Sequence, residues 1–383
     1  MPSATGTLHT YHPTRGLLLF EHAHGHASPP PPNILLFVGG MFDNFLSPNY
    51  TLSLAQLFRS SERPKWRLAH IQLSSAMRGF GISSLSRDAQ ELNLGVKFVR
   101  EHLLAGNSSG KVVLMGHSTG TQDLISYCYL NNKTTGPLAE RAKVDGIILQ
   151  AAVSDRDTAT PGPDASAERR LRWTQCLDLA RSTPDAEKRT TVLPMHLTNS
   201  IFGPAPLSVE RFLSLASPDS PERPGEDDLL SGDASEEWLK KTWGVAFGGS
   251  EGVFQPMPKS RKKEPLILLS GNDEHVPGHV DQNKLLEKWR EAVEKAGGAL
   301  HSESQVIAGA VHDVSGDDAA SFRARELALR WAVVLYLAGV LGEEIDDGTD
   351  RALEEAEEQW KTMQNAGQQQ STPTEKEDLA SKI

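Results

Sequence analysis

Two kinds of apolar pattern alternate along the chain. Short unbroken aliphatic runs, the mark of strands buried on both faces, are separated by longer stretches in which apolar residues recur every three or four positions. "GTLHTYHP" and "GLLLFEHAH" read as an opening pair of strands joined by the turn Pro13 to Gly16. "SPPPPN" then separates them from "ILLFVGG", which reads as a central strand. "LAQLFRSS" has helical spacing, "WRLAHIQLSS" is a strand, and "SRDAQELNLGVKFVREHLL" is a long amphipathic helix with Asp88 and Glu91 in its first turn. Val112 to Met115 is the next buried strand, followed by a helix carrying Leu124, Ile125, Tyr127 and Cys128. "VDGIILQAAVSD", "PLILLSGNDEHVP" and "SESQVIAGAVHD" supply the remaining strands. Strands alternating with helices in this order predict an α/β protein with a mostly parallel, doubly wound sheet.

The alternation breaks between about residues 154 and 262, a stretch rich in Pro, Asp, Glu and Ser. Helical pieces fall there at "ASAERRLRWTQCLDLARS", "SVERFLSLAS" and "ASEEWLKKTWGVAF". Lying between two sheet strands, this insertion is expected to project as a cap from the strand C-terminal edge, where open α/β sheets bind ligands. The main domain is expected over residues 1–343, and the acidic, polar segment 344–383 as a helix and a disordered tail. No internal repeat is visible.

Composition narrows the function. A chain of 383 residues with net charge −11 and no basic block is expected to bind neither nucleic acid nor anionic membranes. Its beginning has neither a charged leader nor an apolar core, and no run approaches the length of a membrane span, so a soluble cytoplasmic protein is expected. The terminal "SKI" keeps a peroxisomal address as the alternative. Cys128 and Cys176 are too few for a disulfide framework and read as small core hydrophobes.

The chemistry centres on "KVVLMGHSTGTQD". Ser118 falls on a sharp strand-to-helix turn flanked by Gly116 and Gly120, the nucleophile-elbow pattern G-x-S-x-G. A serine hydroxyl needs a histidine to take its proton and a carboxylate to fix that histidine, in the chain order Ser, acid, His. His312 stands just beyond the final strand, whereas His301 precedes it and His275 is too close to the acid. Asp273, at the end of "PLILLSGNDEHVP", is the favoured acid, with neighbouring Glu274 and Asp155 in "AAVSDRD" as rivals. "FVGGMFDN" offers an oxyanion loop, in which Gly39 and Gly40 let the Met41 amide pair with that of Thr119. Gly40 and Arg78, in the loop after the fourth strand, are candidate substrate contacts, and Asp123 either holds a neighbouring loop or faces solvent. His22, His24 and His26 share a strand face without matching carboxylates or thiols, so a surface strand is expected, and neither a metal nor an organic cofactor.

"LLFVGG", "SSAMRGFGISSLSRDAQEL", "LMGHSTGTQDLISY", "GIILQAAVSDRD", "ERFLSLAS" followed by "DDLL", and "LLSGNDEHVP" together resemble the fungal α/β-hydrolase family that includes the siderophore esterases. The similarity runs from roughly residue 10 to 340, and the "GFGISSL" and "HSTGTQD" pair is its narrowest part. The resemblance implies an α/β-hydrolase fold with Ser118, Asp273 and His312 as the triad. It further implies hydrolysis of ester bonds in fusarinine-type hydroxamate siderophores, a small-molecule substrate whose iron is released inside the cell. A general carboxylesterase or thioesterase, an acyltransferase and a non-catalytic binding protein on the same fold are the alternatives.

Overall fold

The computed structural model describes residues 3–24, 29–60, 65–105, 107–129, 141–315 and 319–343. His26 and the segment 344–383 lie outside them. The chain opens with the antiparallel strands β1 (Gly6–His12) and β2 (Leu17–His22). Six further strands follow: β3 (Asn33–Val38), β4 (Trp66–Ile71), β5 (Val112–His117), β6 (Gly146–Gln150), β7 (Leu266–Ser270) and β8 (Gln305–Ile307). Every residue of the five strands β3, β4, β5, β6 and β7 is buried, as runs covered on both faces require.

The strand order across the sheet is β1-β2-β4-β3-β5-β6-β7-β8, with β2 antiparallel to β4 and all later pairs parallel. This is the α/β-hydrolase fold expected from the sequence. The chain enters at β3, steps outward to β4 and returns to β5, so two loops diverge from adjacent strand ends and leave a crevice there. The register from Ile34 opposite Val112 to Val38 opposite Gly116 sets Gly39 and Gly40 beside His117 and Ser118.

Helices Leu85–Phe98, Thr119–Tyr129 and Gln282–Lys295 cover one face through Leu92, Val96, Leu124, Ile125, Leu285 and Trp289. Helices Tyr50–Ser60 and Ala319–Leu341 cover the other through Tyr50, Leu54, Leu329 and Val333. Gln282–Lys295 and Ala319–Leu341 were not among the sequence expectations. The second is apolar on most sides and shows no amphipathic period to read. Several strands are shorter than their apolar runs. β8 has three residues, because the chain from Ala308 onward leaves the sheet in the loop that carries His312.

The insertion divides between two packing environments. Its first part builds a separate cluster around Cys176, Leu197, Phe202, Val209, Phe212 and Leu215, into which Phe80 reaches from the main domain. Its last part, from Leu229 to Phe254, packs into the sheet-facing core, where Trp243 stacks on Trp289 with centroids 4.7 Å apart and planes 15° from parallel. Both cysteines are buried and unpaired, and burial pushes their thiols up to about 12 for Cys128 and about 11 for Cys176. Among the described residues no helix is long and apolar enough to cross a membrane. Because both indoles are fully buried, Trp243→Ala is expected to cost about 3–5 kcal/mol in urea unfolding. A cost below about 1 kcal/mol, as at surface positions, would show that this segment does not share the core.

Candidate functional site

Ser118 follows the last residue of β5 and precedes the helix Thr119–Tyr129, and its φ of +54° is the left-handed conformation that a strand-to-helix reversal demands. Its amide donates to the Gln150 carbonyl at the end of β6, 3.0 Å away, which fixes the turn to the sheet. Glycine is required on either side of the crevice. A Cβ on Gly120 would lie 2.4 Å from the Val38 carbonyl, and one on Gly40 would lie 2.6 Å from the Ser118 Cβ and 3.2 Å from its Oγ. The loop after β3 therefore passes directly against the serine.

His312 lies in the loop beyond β8, where its Nδ1 stands 2.7 Å from Asp273 Oδ2. Asp273 comes from the loop beyond β7, with only 1% of its side chain exposed. Its other oxygen accepts from the His275 amide at 2.9 Å, so the carboxylate is held at both ends. The two rivals for the acid are engaged elsewhere. Glu274 accepts the His312 backbone amide at 3.0 Å, while Asp155 Oδ2 accepts from Gln122 Nε2 at 2.8 Å. The His312 ring packs between His117, at 4.8 Å between centroids, and His275, at 4.6 Å. Since His117 precedes Ser118 in the chain, this contact brings the histidine and serine loops together. Burial lowers the His275 pKa, and His312 lowers it further. His301 packs against Tyr336 with centroids 5.0 Å apart.

Among the described residues neither the Met41 nor the Thr119 amide donates to a protein acceptor. Both residues line a pocket that opens beside Gly40. Asp88, Asp123 and Arg211 form its inner wall. Asp123 is buried, and burial together with neighbouring Asp88 pushes its carboxyl well above the usual range. Burial also raises Asp88, to about 6, against the opposing pull of Arg211. Arg211 is anchored by the Phe80 carbonyl at 3.0 Å and Asp227 Oδ2 at 2.6 Å. Arg78 is exposed and does not line this pocket, so the arginine facing it is Arg211, supplied by the insertion and 133 positions downstream of the predicted one.

The histidine run differs from expectation. His22 is buried, with its ring 5.0 Å from that of His70 on the neighbouring strand β4 and 4.9 Å from that of Phe20, so the strand is interior at this point. Among the described residues no three His, Cys, Asp or Glu side chains converge as metal ligands.

Two polar residues of this site were missed by sequence reasoning. Asp43 Oδ2 accepts from the Gly40 amide at 2.7 Å and meets His117 Nδ1 at 2.8 Å. Burial works to raise the Asp43 pKa, but the His117 hydrogen bond and charge and the Gly40 amide outweigh it, leaving Asp43 below the ordinary carboxylate value. The only signal in the sequence was the proximity of Asp43 to the glycine pair.

Asp155 yields a pH prediction. Burial pushes its folded-state pKa up to about 7, so the folded chain holds this proton more tightly than the unfolded one. Its contribution to stability is then complete below about pH 4 and is lost as pH rises to about 7. Asp155→Asn, whose amide oxygen can still accept from Gln122, should match the wild-type Tm near pH 4 and exceed it increasingly toward pH 8. Melting curves that run parallel across that range would refute the assignment.

Comparison with known proteins follows the same lines. The chain is 36% identical over 342 residues to the fusarinine C esterase sidJ of Aspergillus fumigatus, covering 83% of this chain and 92% of that protein. It is 33% identical over 369 residues to an esterase of Emericella nidulans, covering 88% and 93%. Among solved structures it matches the siderophore hydrolase EstB of Aspergillus fumigatus with a TM-score of 0.74 and 34% identity, covering 88% of this chain and 98% of that one. The model of the family described as "Protein of unknown function (DUF1749)" matches residues 1–334, and the chain belongs to that family.

Proposed function

We propose that the chain is a serine ester hydrolase whose substrates are ester-linked hydroxamate siderophores. The observation that carries the hydrolase reading is the 2.7 Å contact between His312 Nδ1 and Asp273 in a loop packed against the elbow of Ser118. With Nδ1 engaged by the carboxylate, Nε2 is the nitrogen left to receive the serine proton. Ser118 Oγ attacks the ester carbonyl as that proton moves to His312, and Asp273 stabilises the resulting imidazolium. The negative charge that forms on the carbonyl oxygen is met by the amides of Met41 and Thr119. His312 returns the proton to the leaving alcohol, and a water deprotonated by the same histidine then cleaves the acyl-serine. Iron, where present, arrives and departs with the siderophore as cargo.

The siderophore assignment rests on the two Aspergillus relatives named for fusarinine C and siderophore hydrolysis. The inserted cluster around Phe212 is proposed to act as the cap over the pocket, since its residue Arg211 forms part of the pocket wall.

The test is hydrolysis of ferric fusarinine-type and triacetylated siderophores, beside a short p-nitrophenyl ester, with products identified by mass spectrometry. Wild type should open the siderophore esters, and Ser118→Ala should lower the rate by roughly a thousandfold or more. Cleavage confined to the short ester would keep the chemistry and refute the siderophore assignment. Full activity in Ser118→Ala would refute the nucleophile.

A further inference from the structure

We infer that Asp43 and His117 act as a pair of positioning residues that lock the oxyanion loop, the nucleophile turn and the loop of the base into one register. The inference rests on the proposed roles of Ser118, His312 and the Met41 amide, and it concerns two residues outside that set. A single carboxylate oxygen, Asp43 Oδ2, accepts from the Gly40 amide at 2.7 Å and from His117 Nδ1 at 2.8 Å. The first bond fixes the residue preceding Met41. The second fixes the residue preceding Ser118. The opposite ring nitrogen, His117 Nε2, faces the carbonyl of His312 at 3.4 Å.

That carbonyl is met from the other side by Gln150 Nε2, also at 3.4 Å. The orientation of the Gln150 amide is set by Tyr50, whose hydroxyl donates to Oε1 at 2.8 Å. The main chain of Gln150 in turn accepts the Ser118 amide at 3.0 Å. The Asp43–His117 bond ties the loop after β3 to the turn after β5, and Gln150, which accepts the Ser118 amide and donates to the His312 carbonyl, ties that turn to the loop after β8, so every proposed catalytic element except the acid loop is touched. His117 is 3% exposed and Asp43 has 15% of its side chain exposed, so water competes poorly for these bonds.

The oxyanion loop needs such restraint. Phe42, immediately after Met41, is held at φ +66°, a conformation a bulky side chain adopts only when its surroundings enforce it. Asp43 follows directly. Its two hydrogen bonds, with the Phe42 amide bonding to the Met77 carbonyl at 3.1 Å, are what pin this turn. Without them the Met41 amide can swing away from the position where the carbonyl oxygen develops charge, and a displacement of about 1 Å there costs catalysis far more than binding.

The experiment compares wild type, Ser118→Ala, Asp43→Ala, Asp43→Asn, His117→Ala and the double variant Asp43→Ala/His117→Ala on a p-nitrophenyl ester. Rates are expressed per active site titrated with diethyl p-nitrophenyl phosphate. Asp43→Ala is expected to lower kcat about 10- to 100-fold with KM changed less than about threefold, and to slow phosphorylation by the titrant in parallel. Asp43→Asn should recover most of that loss, because an amide oxygen can accept the same two bonds. The double variant should fall no more than about twofold below Asp43→Ala, as members of one unit do. A kcat per site within twofold of wild type in Asp43→Ala, or losses that multiply in the double variant, overturns the inference. Should Asp43→Ala give no titratable sites, His117→Ala decides by the same kcat criterion. Activity surviving in Ser118→Ala would instead remove the triad reading on which the inference stands, and so separates the two failures.

Discussion

A non-glycine residue at φ +54° costs on the order of 1–3 kcal/mol, and the backbone of Ser118 keeps that conformation only because its neighbours leave no alternative. Behind it, all six residues of β5 are buried between parallel partners. Ahead of it, the helix Thr119–Tyr129 is pinned to the sheet by buried residues from Gly120 to Cys128. The axis of one element must turn into the other within a single residue. Gly120 gives the helix room beneath the Val38 carbonyl, and the Gln150 carbonyl captures the turn's free amide. What results is a hydroxyl lifted out of the sheet at the crevice between β3 and β5, where the strand order reverses.

The other parts of the site are arranged around that point by the sheet itself. Asp273 and His312 come from loops after adjacent strands, β7 and β8, whose parallel register brings their C-terminal ends to the same edge. Gly40 comes from the loop after β3, which pairs with β5 on the opposite side. Strand spacing thus brings the loops to one edge, and the hydrogen bonds among those loops set the finer placement of the groups they carry. The pocket beyond them has a different character. Two carboxylates raised by burial and one buried arginine line its inner side, and that arginine comes from the inserted segment.

Much of this arrangement was legible because it depends on local pattern. The aliphatic runs gave β3, β5, β6 and β7, and the glycines about Ser118 marked the turn that the structure contains. Chain order already favoured Asp273 as the partner of His312, and in the structure it is the Asp273 carboxylate that meets His312 while Glu274 and Asp155 bond elsewhere. Features that depend on distant packing were not legible. The burial of His22 beside His70 depends on β4 pairing alongside β2, nearly fifty residues away in sequence. The contact of Asp43 with His117 spans 74 positions, and a lone aspartate after a glycine pair looks like an ordinary turn residue. Arg211 reaches the pocket only because the insertion folds back over it, whereas Arg78, nearer in sequence, points to solvent.

The central proposal is that Ser118 is a nucleophile activated by His312. The most direct measurement is the intact mass and peptide map of the chain after reaction with a fluorophosphonate, for wild type and for His312→Ala. The account predicts one adduct per chain, carried by Ser118, and a rate of labelling reduced by roughly a thousandfold in the histidine variant. An adduct on any other residue, or equal labelling rates in the two proteins, would contradict it.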